Sequence, residues 1–511
     1  MTSERDRTRL LRGGLAGLLA GAVAVGVGQF AASLIAQVSS PVIAVGSAAV
    51  GLAPAPVKNF AISAFGSNDK IALLTGIYVL LALYAIVLGV LGTRRLAYGL
   101  AGLAAFTVIG LVAAATRPGS TPAWLLPTFA AAAAAAAVLV IMLRNAPART
   151  TATALTDTQR RWFLRTGVVA VGVAAVAGLA GRVLAERGAV TSARARLRFP
   201  RPARTAPPLP PGTSLDIPGL TPFVTPDPSF YLVDIELVRP QVDPSGWQLR
   251  IHGMVEREVV INFSDLLRRP LTEAWITLCC VSNPVAGPYI GNAKWLGAPL
   301  ASLIREARPR AGADQILSTS VDGYTSGTPV ETVLDGRNAL LAVSMNGQPL
   351  PVSHGFPARM VVPGLYGYVS ATKWVTDIKL TKFSAETAYW AQRGWSQQAI
   401  IKTESRIDVP SGSTTLTAGR TPVAGVAWAQ HRGIDAVHVR VDRGPWHEAR
   451  LAAVPGIDTW RQWAWEWDAT PGNHLIEARA TDGTGHTQTA TGAPPEPNGA
   501  SGYPQVTVTV H

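Results

Sequence analysis

Cysteine is almost missing from this chain: among 511 residues there are only Cys279 and Cys280, and they are neighbours. One peptide bond holds two adjacent residues too close for ordinary disulfide geometry, so no structural disulfide framework exists. The cysteine count therefore leaves the redox compartment open. It also excludes an iron–sulfur quartet and a c-type haem attachment motif. All eight histidines lie at His252 or later, which removes paired histidine ligands for a haem from the apolar N-terminal half. Acidic residues are scarce there too, with five Asp and Glu in residues 1–205, and no acid–base pair marks a proton or ion path through the apolar segments.

What the N-terminal half has instead is long hydrophobic runs. Five segments, about 13–35, 71–92, 97–115, 123–143 and 166–185, reach the roughly 20 apolar residues that a membrane span needs. They offer almost no polar face to water, which argues against buried helices of a soluble protein. A further apolar stretch, about 40–57, carries Pro41, Pro54 and Pro56 and reads as a re-entrant or interfacial piece. The net charge of +13 is distributed accordingly: residues 1–205 hold 21 Lys and Arg, a net of +16, while 206–511 carry a net of −3. The basic excess thus flanks spans rather than forming a nucleic-acid-binding stripe.

The basic loops predict orientation. Arg5, Arg7, Arg9 and Arg12, then Arg94 and Arg95, then Arg144, Arg149, Arg160, Arg161 and Arg165 fall on one side of five spans, the cytoplasmic side. Everything after about residue 186 is then extracytoplasmic and the protein a multi-pass cell-membrane protein. Arg187, Arg194, Arg196, Arg198, Arg201 and Arg204 follow the last span against this rule. Arg160-Arg161-Trp162-Phe163-Leu164-Arg165, ahead of a mild apolar stretch, resembles a twin-arginine export motif, which suits a domain exported already folded. An ordinary basic helix flank is the other reading. The helices 1–189 are expected to be an all-α anchor or partner-docking unit in contact with membrane lipid.

Residues 190–229 are rich in Arg and Pro and predict an extended spacer. From 230 to 403 short strands (249–255, 275–281, 339–345, 360–362) alternate with short helices (263–267, 300–305), an α+β texture. From 404 to 511 alternating runs such as 436–441, 474–480 and 505–510 between Gly, Pro, Asp and Asn turns predict an immunoglobulin-like β-sandwich. Trp460, Trp463, Trp465 and Trp467 are expected in its core.

Two stretches carry chemistry. Trp275-Ile-Thr-Leu-Cys279-Cys280-Val-Ser-Asn283-Pro delivers a thiol from a strand to a turn, and a thiolate suits a transition metal. Read alone, an inert buried cysteine explains it as well. The second runs Met345-Asn346-Gly347, Pro349-Leu-Pro351, His354-Gly-Phe-Pro357, Arg359, Val362-Pro363-Gly364, Ser370-Ala-Thr372-Lys373-Trp374. Cationic side chains converging on glycine turns suit an anionic phosphate.

Together these motifs resemble the sulfite-oxidase family of molybdopterin enzymes, over about residues 230–511. The resemblance implies a molybdenum–molybdopterin cofactor with Cys280 as the metal ligand. It implies pterin or phosphate contacts from His354, Arg359, Ser370, Thr372 and Lys373, with Asn283 in the cysteine turn. Phe230 and Tyr231 match the family's aromatic pair, Thr325 in Asp322-Gly-Tyr324-Thr325 matches a further pterin contact, and the C-terminal domain matches a dimerisation domain that makes a homodimer. Where sulfite-oxidising members carry arginine after the cysteine turn, this chain has Pro284 and Val285, and the region Tyr389-Trp390-Ala-Gln-Arg393-Gly-Trp395 also departs from theirs.

The expected activity is therefore two-electron oxygen-atom transfer with a small-molecule oxo-donor, sulfoxide-like or N-oxide-like, or in the other direction an oxo-acceptor, as in a sulfite or organosulfur dehydrogenase. With no haem or iron–sulfur motif in the chain, electrons must pass to or from a separate protein or a membrane quinone. A membrane-tethered scaffold without metal is the non-enzymatic reading, against which stands the retention of Cys280, His354, Arg359 and Lys373.

Overall fold

The computed structural model describes residues 4–52, 69–117, 120–144, 157–186, 189–412 and 414–511. Pro54, Pro56, Arg149 and Arg187 lie outside them. The chain forms two compact units, one of residues 1–191 with 235–240 and one of 192–234 with 241–511.

The first unit is all-helical: α1 (Glu4–Ile35), α2 (Pro41–Leu52), α3 (Asp69–Arg94), α4 (Leu96–Ala115), α5 (Leu126–Arg144) and α6 (Asp157–Glu186). Five helices, all but α2, are long and apolar enough to cross a membrane, and they coincide with the five expected spans. The 12-residue α2 is too short to cross and fills part of the 40–57 stretch read as re-entrant. Arg160-Arg161 falls inside the first turns of α6, continuous with the span. Helix α1 packs against α3, α5 and α6. Its approach to α3 depends on glycine, because a Cβ added at Gly17 would collide with the Ala85 carbonyl and one at Gly89 with the Gly13 carbonyl. Small residues let membrane helices approach this closely, where lipid supplies no hydrophobic drive. Glu236 returns to this unit, 5% exposed, and pairs with Arg117 at 3.2 Å, while Lys70 donates to its backbone carbonyl.

The second unit opens with α7 (Ala189–Arg196), most of which belongs here. The Arg/Pro-rich stretch differs from a free spacer, since it is strapped onto the unit. Ala203 N–H bonds the Leu271 carbonyl, Glu273 N–H bonds Arg204, and Trp275 donates to Pro207 O at 3.0 Å. Arg194 donates to the carbonyls of Pro349 and Leu350, both at 2.8 Å. At least one of the arginines that run against the expected topology signal thus serves the fold.

Two sheets, one mixed and one antiparallel, form the middle of the unit. The first has strand order β2 (Val259–Asn262), β1 (Gln248–Gly253), β10 (Val375–Thr381), β5 (Gln315–Ser320), β6 (Thr325–Pro329). The second runs β3 (Thr272–Cys279), β4 (Ile290–Pro299), β7 (Leu340–Met345), β8 (Gln348–Pro349), with β9 (Arg359–Val361) also on β7. Helices α8 (Phe263–Arg268), α9 (Leu300–Ala307), α10 (Val330–Leu334) and α11 (Gly367–Ser370) connect them. Helix α8 is fixed by a reciprocal cap between Asn262 and Asp265.

The C-terminal region is β-rich, in two sheets: β11 (Glu404–Val409), β13 (Gly419–Trp428), β17 (Arg461–Ala469), β16 (Arg450–Leu451), and β12 (Thr415–Leu416), β19 (Gln505–Val510), β18 (Gly472–Asp482), β14 (Ile434–Val441), β15 (His447–Glu448). Val423, Trp463, Ile476 and Val508 fill its core. Trp463 and Trp467 are buried in it as expected, Trp465 is half-buried against it, and Trp460 is buried in the core of the α+β region instead. Trp428 and Trp460 cross into the core of the α+β region. The free edge of β3 is thereby closed: Thr277 N–H bonds the Asp458 carbonyl, and Gln430 donates to Thr277 O.

Candidate active site

Strand β3 ends at Cys279, and alternation sends the two thiols in different directions. Cys279 is fully buried within the apolar core, whereas Cys280, 7% exposed, begins the turn and is not part of that core. The turn is built by local bonds. Cys280 N–H donates to Tyr289 O, Asn283 N–H to Cys280 O, and Asn283 Oδ1 accepts from Tyr289 N–H at 2.8 Å. Asn283 is 2% exposed and its Nδ2 has no partner. Burial raises the Cys280 thiol, and hydrogen bonds from Ser282 and the charge of Lys373 pull it back down.

Aromatic rings wall the site. Phe230 stacks on Tyr231 at 5.3 Å and meets His354 edge-on at 5.5 Å. Two buried phenols feel the charge of the thiol. Tyr231 and Tyr324 are both raised, first by burial, then by negative charge at Cys280. Tyr324 donates to Tyr368 O at 2.8 Å and packs on Tyr389, over whose ring Arg393 lies at 3.6 Å.

The loop after β8 supplies the cations. His354, 3% exposed, closes a single helical turn, and its carbonyl accepts from Arg359 at 3.2 Å. The Arg359 guanidinium is 5% exposed, lies over the Trp295 ring and bonds only carbonyl oxygens, those of His354, Met360 and Ala371. Among the described residues no carboxylate pairs with it, and burial lowers its pKa to about 10. Lys373 bonds Asp234 at 2.9 Å and Ser353 O at 3.3 Å. The remaining expected residues are engaged with protein groups. Ser370 bonds the carbonyls of Leu365 and Tyr366, Thr372 bonds Ser318 at 2.7 Å, and Thr325 accepts from Tyr389 N–H at 2.9 Å.

A buried guanidinium without a counter-carboxylate is costly unless an anion joins it. Together with the orphaned Asn283 amide and the thiol at Cys280, it fits a thiolate-bound anionic cofactor. Among the described residues no three His, Cys, Asp or Glu gather to cage a metal, so a metal at Cys280 would draw its other ligands from the cofactor. Residues 236–390 match the model of the oxidoreductase molybdopterin binding domain. The matched region is under a third of the chain, and the curated proteins similar to it include sulfite oxidases. It is 29% identical to the mitochondrial sulfite oxidase of Rattus norvegicus, over 48% of this chain and 52% of that protein. It is 30% identical to sulfite oxidase of Gallus gallus, over 48% and 63% respectively. It is 29% identical to the uncharacterized oxidoreductase YuiH of Bacillus subtilis, over 30% and 74%. The chain thus spans about half the length of the mammalian relatives it matches. The matched domain implies a molybdenum–molybdopterin cofactor.

Sequence reading missed Asp234 and Tyr324. They lie close in sequence to residues it did select, Tyr231 and Thr325, but only the fold shows that Asp234 reaches Lys373 and that Tyr324 feels the charge of Cys280. Lys294, on β4 near the cysteine turn, pairs with Glu273 at 3.4 Å and lies over the Trp275 ring.

Proposed function

We propose that this chain is a membrane-anchored oxidoreductase carrying out two-electron oxygen-atom transfer, with Cys280 as the protein's ligand to molybdenum. The observation that carries the reading is the buried, carboxylate-free Arg359 in the domain that presents the Cys280 thiol. The bound cofactor would supply a metal that exchanges an oxygen atom and two electrons with substrate. Arg359, His354 and Lys373 would hold the pterin and its phosphate, Phe230 and Tyr231 would wall it, and Thr372 and Ser370 would fix the backbone it rests on. Tyr324, whose phenol stays protonated and donates to Tyr368 O, would hold the wall of the site in place.

No arginine follows the Cys280 turn, where Pro284 and Val285 stand. A dianion loses hydration on entering such a site without a fixed charge to replace it. A neutral sulfoxide or N-oxide suits it better, and reduction of such a donor is the leading reading. Arg393 stacked on Tyr389 favours the second, a sulfite or organosulfur dehydrogenase, because it sets one cation on the ring that packs against Tyr324. The catalytic half is read as extracytoplasmic and exported folded. The C-terminal sheets are read as an immunoglobulin-like dimerisation unit. Stoichiometric molybdenum in the purified full chain supports the enzyme, and its absence supports a scaffold. Comparing kcat/KM for a neutral sulfoxide and for sulfite at two ionic strengths then decides substrate. Efficient sulfite turnover that weakens with salt and with Arg393→Gln supports the second reading.

A further inference from the structure

The Met345-Asn346-Gly347 motif makes the two-residue turn between β7 and β8. Asn346 and Gly347 both take left-handed backbone, at φ of 50° and 79°, which so tight a hairpin turn requires and Asn-Gly supplies with least strain. That accounts for the backbone of Asn346 but not for its side chain, whose bonds all leave the hairpin. Its Oδ1 accepts from Lys294 N–H at 3.0 Å. Its Nδ2 donates to the Thr225 carbonyl at 3.0 Å and to an Asp227 carboxylate oxygen at 2.7 Å, reaching back 121 and 119 positions. The partners fix which end of the amide is which, since a backbone N–H needs the oxygen, while a carbonyl and a carboxylate need the nitrogen.

The segment gripped in this way leads to the wall of the site. Thr225 is tied a second time, its N–H donating to Asn292 O and its hydroxyl accepting from the N–H of the fully buried Asn292. Asp227 opens the single turn Asp227–Ser229, and Phe230 N–H bonds the Asp227 carbonyl. The Phe230 ring is bedded on Gly291, where an added Cβ would come within 2.8 Å of it. It meets Trp295 edge-on at 5.9 Å and His354 at 5.5 Å, and Arg359 lies over the Trp295 ring at 5.2 Å. One amide thus holds the chain that sets a single ring against His354 and against the indole beneath Arg359. Residues 223–231 belong to no strand, so side-chain bonds take the place of a ladder.

We infer that Asn346 is a positioning residue of the cofactor site: it clamps Thr225 and Asp227 so that Phe230 and Tyr231 are held against His354. A wall fixed beforehand need not be ordered when the cofactor binds, and it resists opening afterwards. The inference rests on the molybdopterin reading, which it deepens by naming what holds the aromatic wall in place.

The test compares the full molybdenum-loaded chain with Asn346→Gly, which keeps the left-handed turn and removes all three side-chain bonds. Molybdenum loss on dialysis is read beside amide hydrogen exchange. The Thr225 and Phe230 amides should exchange about tenfold faster, the effect of two or more lost hydrogen bonds, while those of β10 stay unchanged. Molybdenum should leave about tenfold faster as well. Asn346→Asp keeps the bond from Lys294 but sets a carboxylate against Asp227, and should loosen the segment as much. Adding Asp227→Asn returns a donor to that pair and should recover part of the loss, which a role in the turn alone would not. Gly291→Ala, which displaces the Phe230 ring, should speed molybdenum loss with every Asn346 bond intact. Unchanged exchange at Thr225 and Phe230 in Asn346→Gly, faster exchange with molybdenum retained as in the parent, or no recovery in Asn346→Asp/Asp227→Asn overturns the inference. A parent without molybdenum counts instead against the oxidoreductase reading, and the exchange comparison still decides whether Asn346 holds the segment.

Discussion

The Lys373 ammonium lies 2.9 Å from a carboxylate oxygen of Asp234, with the two side chains 11% and 5% exposed. Residues 139 positions apart in sequence thus share one buried ion pair at the cofactor loop. Breaking it from one side leaves a charge without its partner in a nearly dry place. Asp234→Asn is expected to destabilise the chain by about 3–5 kcal/mol, with Asp234→Asn/Lys373→Met recovering much of the loss. A double-mutant cycle on thermal unfolding measures this, and additive effects would show that the two groups act independently.

The two cysteines should separate cleanly. Cys280→Ser replaces a soft thiolate by a poor metal ligand and should abolish turnover while the fold persists. Cys279→Ser puts a hydroxyl into an apolar core and should cost about 1–3 kcal/mol of stability with metal and activity retained. Molybdenum content and activity of the two variants check this, and the opposite pattern would put the ligand one residue earlier.

Arg359→Met removes a buried cation that no carboxylate of the described residues neutralises. Cofactor content should fall to background. The cofactor-free variant should nevertheless unfold no earlier than the cofactor-free parent, because the isolated charge is gone. Parallel melting curves and metal analysis test both halves of the expectation.

Glu404, 4% exposed, has its carboxyl raised to about 8 by burial, with Lys402 pulling the other way. Its folded pKa lies above its unfolded one. The native state therefore keeps a proton that the unfolded chain releases, and stability falls as pH rises from about 4.5 to about 8. Glu404→Gln should flatten that slope and raise the melting temperature at pH 8 relative to the parent, with little change at pH 4.5. Melting curves across this window measure it.

The five long helices were legible because lipid imposes length and apolarity on each segment separately. The C-terminal strands were legible because alternation is local: 505–510 is a strand with the bounds read from sequence. The cysteine turn and the His354–Arg359 loop were legible as motifs. Asp234 was not, because its partner lies far along the chain. Nor was the strapping of residues 197–215, where proline and arginine suggest a spacer and only backbone bonds to Leu271, Glu273 and Gln462 show otherwise.

The sequence by itself thus determined the helical half, the sheet-rich half, and the residue types that can hold an anionic, thiolate-bound cofactor. These follow from periodicity, composition and spacing, which act over a few turns or strands. Tertiary structure alone decided that Cys279 faces the core while Cys280 leaves it, that Arg359 is buried without a carboxylate among the described residues, that Lys294 pairs with Glu273, and that Tyr324 feels the charge of Cys280. Each depends on groups brought together from distant segments, and burial and charge compensation exist only once those segments have met.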